Sequence, residues 1–287
     1  MWWDDRLKEL KCQGSTGMVH IHHNTRFEDI RNLNRCNHHA DVVINLLGPR
    51  NFFNLGIDNF KKVNIEYPRN IARSARLSGV KKFIHFSACG AEKDSPSMDL
   101  RTKYVGEQVV RDEFPDAIII RPTNVLSKND NYLQYFVHLM DHWTSFIPVY
   151  DDCKALKQPI IVHDLVEAVV NAIQIEGIEG QTFELGGPHV YNQLEILEMI
   201  MTAINRKVTL AHVNRNLALF ISNYFGVKVF NREDIIKSSL DLIVKQEDGV
   251  KGIHDLKVQP GKIRPFINAH CYHYKDPIAA TKEQLEY

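Results

Sequence analysis

Three short runs of apolar, largely β-branched residues, each alternating with a stretch of helical spacing, constrain this chain more than any other feature. They are Asp41-Val-Val-Ile-Asn-Leu-Leu-Gly48, Lys82-Phe-Ile-His-Phe-Ser87 and Ala117-Ile-Ile-Ile-Arg121. Runs of this kind, separated by helix-length segments, build a parallel sheet covered on both faces by helices. The run closed by Gly48 reads as a buried parallel strand. From Phe60 to Ser78 the residues Val63, Tyr67, Ile71 and Ala75 fall on one helix face. Pro68 inside that stretch predicts a kink or a shifted start, and Gly79 a stop. A further helix over about Leu100–Glu113 leads to the third strand, whose ladder Pro122 ends.

The second half is less regular. Tyr132, Phe136, Leu139 and Trp143 give a helix an aromatic face, and Pro159 to Val162 is a short strand. Asp164 is placed to cap a helix over Leu165–Gln174. Thr182 to Leu185 is a last short strand, and Asn192 with Glu195 forms a capping box for a helix reaching about Ile204. Two more helices, near Asn216–Tyr224 and Arg232–Leu240, give the C-terminal part a helical character. With 287 residues, the chain divides on this reading into residues 1–187, an α/β sheet domain, and 188–287, a helical region.

Composition narrows the functional classes. Thirty-five basic side chains balance thirty-five acidic ones, so no global field favours nucleic acid or an anionic membrane. No stretch approaches the roughly 20 apolar residues of a membrane helix. The five scattered cysteines suit a reduced compartment better than a disulfide framework. No targeting signal is visible near Met1.

The motifs come in an order that resembles the extended short-chain dehydrogenase/reductase superfamily, over about Met18 to Asn192. Asn45-Leu-Leu-Gly48 resembles the strand end beside the cofactor. Val63-Asn64-Ile65, Ala72, Ala75, Gly79 and Val80-Lys-Lys-Phe-Ile84 resemble the next helix and strand. Ser87 stands at the catalytic serine's position, and Arg121-Pro122-Thr123-Asn124-Val125 resembles the loop that passes the nicotinamide. The fold implied is a Rossmann-like doubly wound parallel sheet with a smaller, mainly helical C-terminal part. More narrowly, Leu100-Arg-Thr-Lys103-Tyr-Val-Gly106-Glu107, Val109-Val-Arg-Asp112 and Lys157-Gln-Pro159-Ile160 resemble the nucleotide-binding accessory subunits of mitochondrial respiratory complex I. Those subunits hold NADPH and serve assembly and stability on the matrix side of the inner membrane. The resemblance therefore implies NADPH as cofactor and other complex I subunits as partners. The cofactor-binding positions it implies are Leu47, Gly48, Ser87, Lys103, Pro122, Thr123 and Asn124.

The superfamily's chemistry uses a tyrosine four residues before its lysine, because that spacing puts both side chains on one helix face. Lys103 is present here, but Asp99 stands at the tyrosine's place. An aspartate beside a lysine is ionised and cannot give a proton near neutral pH. Tyr104, roughly 100° further round the helix, is no substitute. The expectation is an ion pair and no catalytic residue.

The phosphate cradle poses a second question. A dinucleotide site needs a strand followed by a glycine-rich turn, whose backbone N–H groups meet the pyrophosphate. Gly14-Ser-Thr-Gly17 follows a polar stretch and reads as a turn before a strand at Val19 to Ile21. The opening strand of the superfamily is then absent from this sequence, which argues against a dinucleotide held by this chain alone. Removing a central strand would orphan buried backbone groups at about 1–3 kcal/mol each, so a fragment or shortened form is expected, with a genuine shorter fold as alternative. His20, His22 and His23, with His38 and His39, show no third ligand at metal spacing. His270-Cys-Tyr-His273 reads as a packed or docking segment, and Cys89 as a small buried residue. Three functions remain open: a non-catalytic accessory subunit, an active NAD(P)-dependent reductase or epimerase, and an NADPH-binding sensor.

Overall fold

The computed structural model describes residues 18–274 except 23–24, 50–56, 129, 131, 134–135, 138–139, 141–145, 226–231 and 246–248. The polar stretch Trp2–Lys11, and Gly14–Gly17 with it, lies outside those residues, as do Leu139 and Trp143.

Helix α1 (Ile30–Asn37) precedes strand β1 (Val42–Asn45). A short helix α2 (Ile57–Lys61) runs through a π-helical turn (Lys62–Glu66) into α3 (Tyr67–Leu77), then β2 (Lys82–Phe86), α4 (Met98–Glu113) and β3 (Ile118–Pro122). Short strands follow: β4 (Val125–Leu126), β5 (Phe146–Val149), β6 (Leu156–Lys157) and β7 (Ile160–Ile161). After them come α5 (Val162–Gln174), β8 (Thr182–Leu185), β9 (Tyr191–Asn192), α6 (Gln193–Ile204) and β10 (Thr209–His212). The chain closes with α7 (Arg215–Phe225), α8 (Arg232–Ser238), β11 (Val250–Lys251) and α9 (Ile263–Cys271).

The main sheet has the order β1-β2-β3-β8-β11, and every pairing in it is parallel. Its last strand comes from the helical C-terminal region, which also contributes β10 to a parallel pair with β5. One face packs Ile84, Ile118, Ile120 and Phe183 against α5 residues Leu165, Ala168 and Ala172. The other packs Phe83 and Ile119 against Ile71, Ala72, Ala75 and Val110 of α3 and α4. Sheet residues on alternate sides of β2 and β3 thus feed opposite layers, as the period of two requires. A third core joins Leu126, Phe136, Ile147 and Val149 to Ile196, Ile200 and Ile267 of α6 and α9.

Several expectations need correction. The run at 41–48 is a four-residue strand at the edge of the described sheet. Ile44 is 38% and Leu46 68% exposed, because no described strand covers that side. Residues 19–21 form no strand. For Pro68 the second of the two expected outcomes, a shifted start, is the one found: a π turn precedes it, and Pro68 sits in the first turn of α3, where a missing N–H costs nothing. Asp164 does not cap α5, which begins two residues before it; its carboxylate accepts instead from the Gly261 N–H at 2.8 Å. Of the expected aromatic face, Phe136 is in the core and Tyr132 packs against it, and Leu133, Val137 and Met140 are buried with them.

Other expectations hold. Gly79 ends α3 with φ +71°, a left-handed conformation in which a Cβ would be strained. Asn192 and Glu195 form the reciprocal capping box of α6. Among the described residues, no helix is long and apolar enough to cross a membrane.

Candidate functional site

The carboxyl ends of β2, β3 and β8 carry the polar groups that the sequence singled out, and open α/β sheets bind ligands at these ends. Ser87 leaves β2, its N–H bonded to the Ile120 carbonyl at 2.8 Å. Its hydroxyl is buried and has no hydrogen-bond partner. Asn124 follows β3, and its side-chain oxygen is likewise buried and unpartnered. Two such groups on adjacent strands are costly unless a ligand or water completes them.

The other expected positions divide. Thr123 is occupied structurally: its hydroxyl donates to the Gln158 carbonyl at 2.5 Å, and its N–H to Leu185 at 2.9 Å. Pro122, last in β3, accepts from the Cys89 N–H. Leu47 packs on the core behind β1, and its N–H donates to the Asn45 side chain. A Cβ at Gly48 would meet nothing within 4 Å, so nothing in the described structure makes glycine obligatory there.

Asn45 fixes a neighbour that the sequence did not mark. Its side-chain oxygen accepts from Leu47, which leaves its amide nitrogen facing His85 Nδ1 at 3.0 Å. The imidazole must accept that bond, so it is neutral with its proton on Nε2. Burial, helped by the charge of Lys103, lowers its pKa to about 3.

Lys103 and Asp99 stand on α4, one turn apart, with Nζ to carboxylate at 3.5 Å. Asp99 is fully buried. It also accepts from Asn64 of the π turn at 2.9 Å and from Lys237 of α8 at 2.6 Å. Burial alone would push its pKa up; Lys103 and Lys237 reverse this and hold it at about 2. The same burial lowers the pKa of Lys103. Asp99 is therefore an acceptor for two ammonium groups and an amide, with no proton to give near neutrality.

Helix α4 is held from three sides. Ser97 caps its N-terminus and donates to Glu233 of α8 at 2.6 Å. The Met98 and Asp99 N–H groups also point to Glu233, which places a carboxylate at the positive end of the helix. Arg121 of β3 grips Glu107 through two bonds of 2.9 and 2.7 Å and reaches Glu184 of β8 at 3.2 Å. At Gly106 the backbone of the π turn comes so close that an added Cβ would lie 2.1 Å from the Asn64 carbonyl oxygen.

The contacts made by Glu233, Lys237, Asn64 and Gln158 were invisible to sequence reasoning, since each acts on residues far along the chain. Among the described residues, no cluster of three or more His, Cys, Asp or Glu could hold a metal ion. Cys89 is buried, and burial raises its thiol to about 12.

Residues 5–186 match the model of the NAD dependent epimerase/dehydratase family. The chain is 30% identical over 261 residues to the mitochondrial NADH dehydrogenase [ubiquinone] 1 alpha subcomplex subunit 9 of Rattus norvegicus, covering 88% of this chain and 66% of that protein. The chain thus spans just under two thirds of that relative's length. It is 28% identical to the mitochondrial NADH-ubiquinone oxidoreductase 40 kDa subunit of Neurospora crassa, over 97% of this chain and 74% of that protein. In structure it is similar to a double mutant of DesIV, a dTDP-glucose 4,6-dehydratase from Streptomyces venezuelae, with NAD and DAU bound. That match has a TM-score of 0.68 at 13% identity and covers 95% of this chain and 84% of that one.

Proposed function

The chain belongs to the NAD-dependent epimerase/dehydratase family, and from that premise we propose that it is a non-catalytic accessory subunit of mitochondrial respiratory complex I. In this reading it sits on the matrix side of the inner membrane and supports assembly and stability through contacts with other complex I subunits. The relatives in rat and Neurospora, named as subunits of that oxidoreductase, support the assignment.

The observation that carries the non-catalytic part is the buried Asp99 carboxylate between Lys103 and Lys237. It stands where the superfamily it resembles places its proton-donating tyrosine. An ionised, doubly paired carboxylate cannot protonate a carbonyl, and Lys103, one turn along the same face of α4, is its ion-pair partner.

NADPH fits the nicotinamide end of the site better than it fits catalysis. The unpartnered Ser87 hydroxyl and Asn124 oxygen are free to complete their hydrogen bonds on a polar ring substituent. Lys103 would face the ribose. When bound, the dinucleotide would supply a hydride donor; this chain's residues would only bind and orient it.

Two experiments test the reading. Native electrophoresis of mitochondrial membranes should place the protein with complex I; migration apart from it would sink the subunit assignment. Steady NADPH oxidation with a carbonyl substrate, abolished by Lys103→Ala, would show an active reductase instead. Titration with NADPH decides whether the site also senses that nucleotide.

A further inference from the structure

Residues 240–245 lie across the carboxyl ends of the sheet, where a ligand's reacting end would enter. We propose that this segment, anchored by α8, is a removable strap that closes the crevice beside Ser87. The inference does not depend on the complex I reading.

The contacts trace the path from β2 to β8. The Cys89 thiol, two residues past Ser87, donates to the Ile243 carbonyl at 3.0 Å. A Cβ at Gly90 would lie 3.2 Å from Leu242, and one at Gly186, just after β8, 2.7 Å from Val244. The Lys245 N–H donates to Glu184 of β8 at 3.0 Å, and its ammonium pairs with Glu92 in the loop after β2. The glycines at both ends thus leave room for strap side chains rather than for side chains of their own.

The anchor is stronger than the strap. Glu233 and Lys237 tie α8 to the N-terminus of α4 and to Asp99. Fully buried Lys157 of β6 donates to the Lys237 and Leu240 carbonyls at 2.8 and 2.5 Å, closing the end of α8. The strap pairs backbone to backbone at Leu242, which bridges Lys157, donates to the Leu156 carbonyl and accepts from the Gln158 N–H, and the Asp241 carboxylate accepts from the Leu156 N–H at 2.7 Å. Its next hold is a side chain, Gln158, which accepts from the Val244 N–H at 2.9 Å. Asp241 and Lys245 are exposed and Leu242 to Val244 half-buried. A half-buried segment whose described holds beyond Leu242 run through side chains, on a firm hinge helix, opens at lower free energy than the sheet beneath it.

Cys89 reports the opening. In the unmutated chain, N-ethylmaleimide labelling read by peptide mass spectrometry should modify Cys89 at least about tenfold more slowly than half-buried Cys36. Removing strap contacts with Gln158→Ala, or with Val244→Pro as an independent variant, should raise Cys89 labelling about tenfold and leave buried Cys153 and Cys271 unchanged. Hydrogen exchange on the unmutated chain supplies a measurement free of folding defects. The Leu242, Val244 and Lys245 amides should exchange together, well before those of Ile118 to Ile120. Exchange of these amides only with the whole sheet would overturn the proposal. So would Cys89 reacting as fast as Cys36, or all three buried cysteines accelerating together in both variants.

Discussion

Asp99 and Lys237 are separated by 138 positions in sequence, yet the ammonium of one donates to the carboxylate of the other at 2.6 Å. This contact joins helix α8, in the C-terminal part of the chain, to the helix that carries Lys103. Asp99→Asn keeps the shape but leaves two lysines around a neutral amide. Breaking a largely buried ion pair from one side costs about 3–5 kcal/mol, so chemical denaturation should show a loss of that order. Adding Lys237→Met should recover part of it, with a coupling of about 0.5–3 kcal/mol in the double-mutant cycle. Purely additive effects would contradict the geometry.

His85 gives the fold an acid sensitivity. Its folded pKa of about 3 lies below the ordinary 6.5, so between these values the unfolded chain binds a proton that the folded chain does not. Stability therefore falls as pH drops through that window, with a slope of about 1.4 kcal/mol per unit. His85→Gln should flatten the slope between pH 6.5 and 4 in urea titrations, and the imidazole signal of the native protein should stay neutral at pH 5.

Lys157 acts in the alkaline range. Burial lowers its pKa from the ordinary 10.5 to about 8. Between those values the unfolded chain holds the extra proton, so stability rises with pH, again by about 1.4 kcal/mol per unit at most. The difference in unfolding free energy between the native chain and Lys157→Met should change across pH 8 to 10; a constant difference would exclude a buried titrating lysine.

Gly106 faces the Asn64 backbone at a distance that admits no methyl group. Gly106→Ala puts a backbone carbonyl, not a yielding side chain, in the way. Overpacking of this kind costs typically 1–3 kcal/mol. The expected result is a lower melting temperature together with loss of the Asn64–Asp99 bond, read from the Asn64 side-chain amide signals. An unchanged melting temperature would mean that α4 and the π turn move apart freely.

Much of the sheet was legible because β2, β3 and β8 are short apolar runs bounded by turn residues, and local pattern suffices for these. Gly79 and the Asn192–Glu195 box were equally local. The run at 41–48 misled because β-branched residues report strand propensity, not how many neighbours a strand has. Asp164 has the composition of a cap, but the helix starts earlier and its carboxylate serves the Gly261 N–H. At the site, the Asp99–Lys103 pair was visible from i, i+4 spacing. The partners Asn64, Glu233 and Lys237 were not, since tertiary contacts across 35 to 138 positions leave no periodic trace.

The π turn at Lys62–Glu66 also carries a genetic consequence. A π turn holds one more residue than an α-helix needs to cover the same stretch. Deleting one codon there would leave a continuous, well-formed helix and a sequence that still reads as α/β throughout. It would nevertheless turn Asn64 away from Asp99 and shift the ridge against Gly106. At this point in the chain, length as well as residue identity sets how Asn64 meets the helix that bears Lys103.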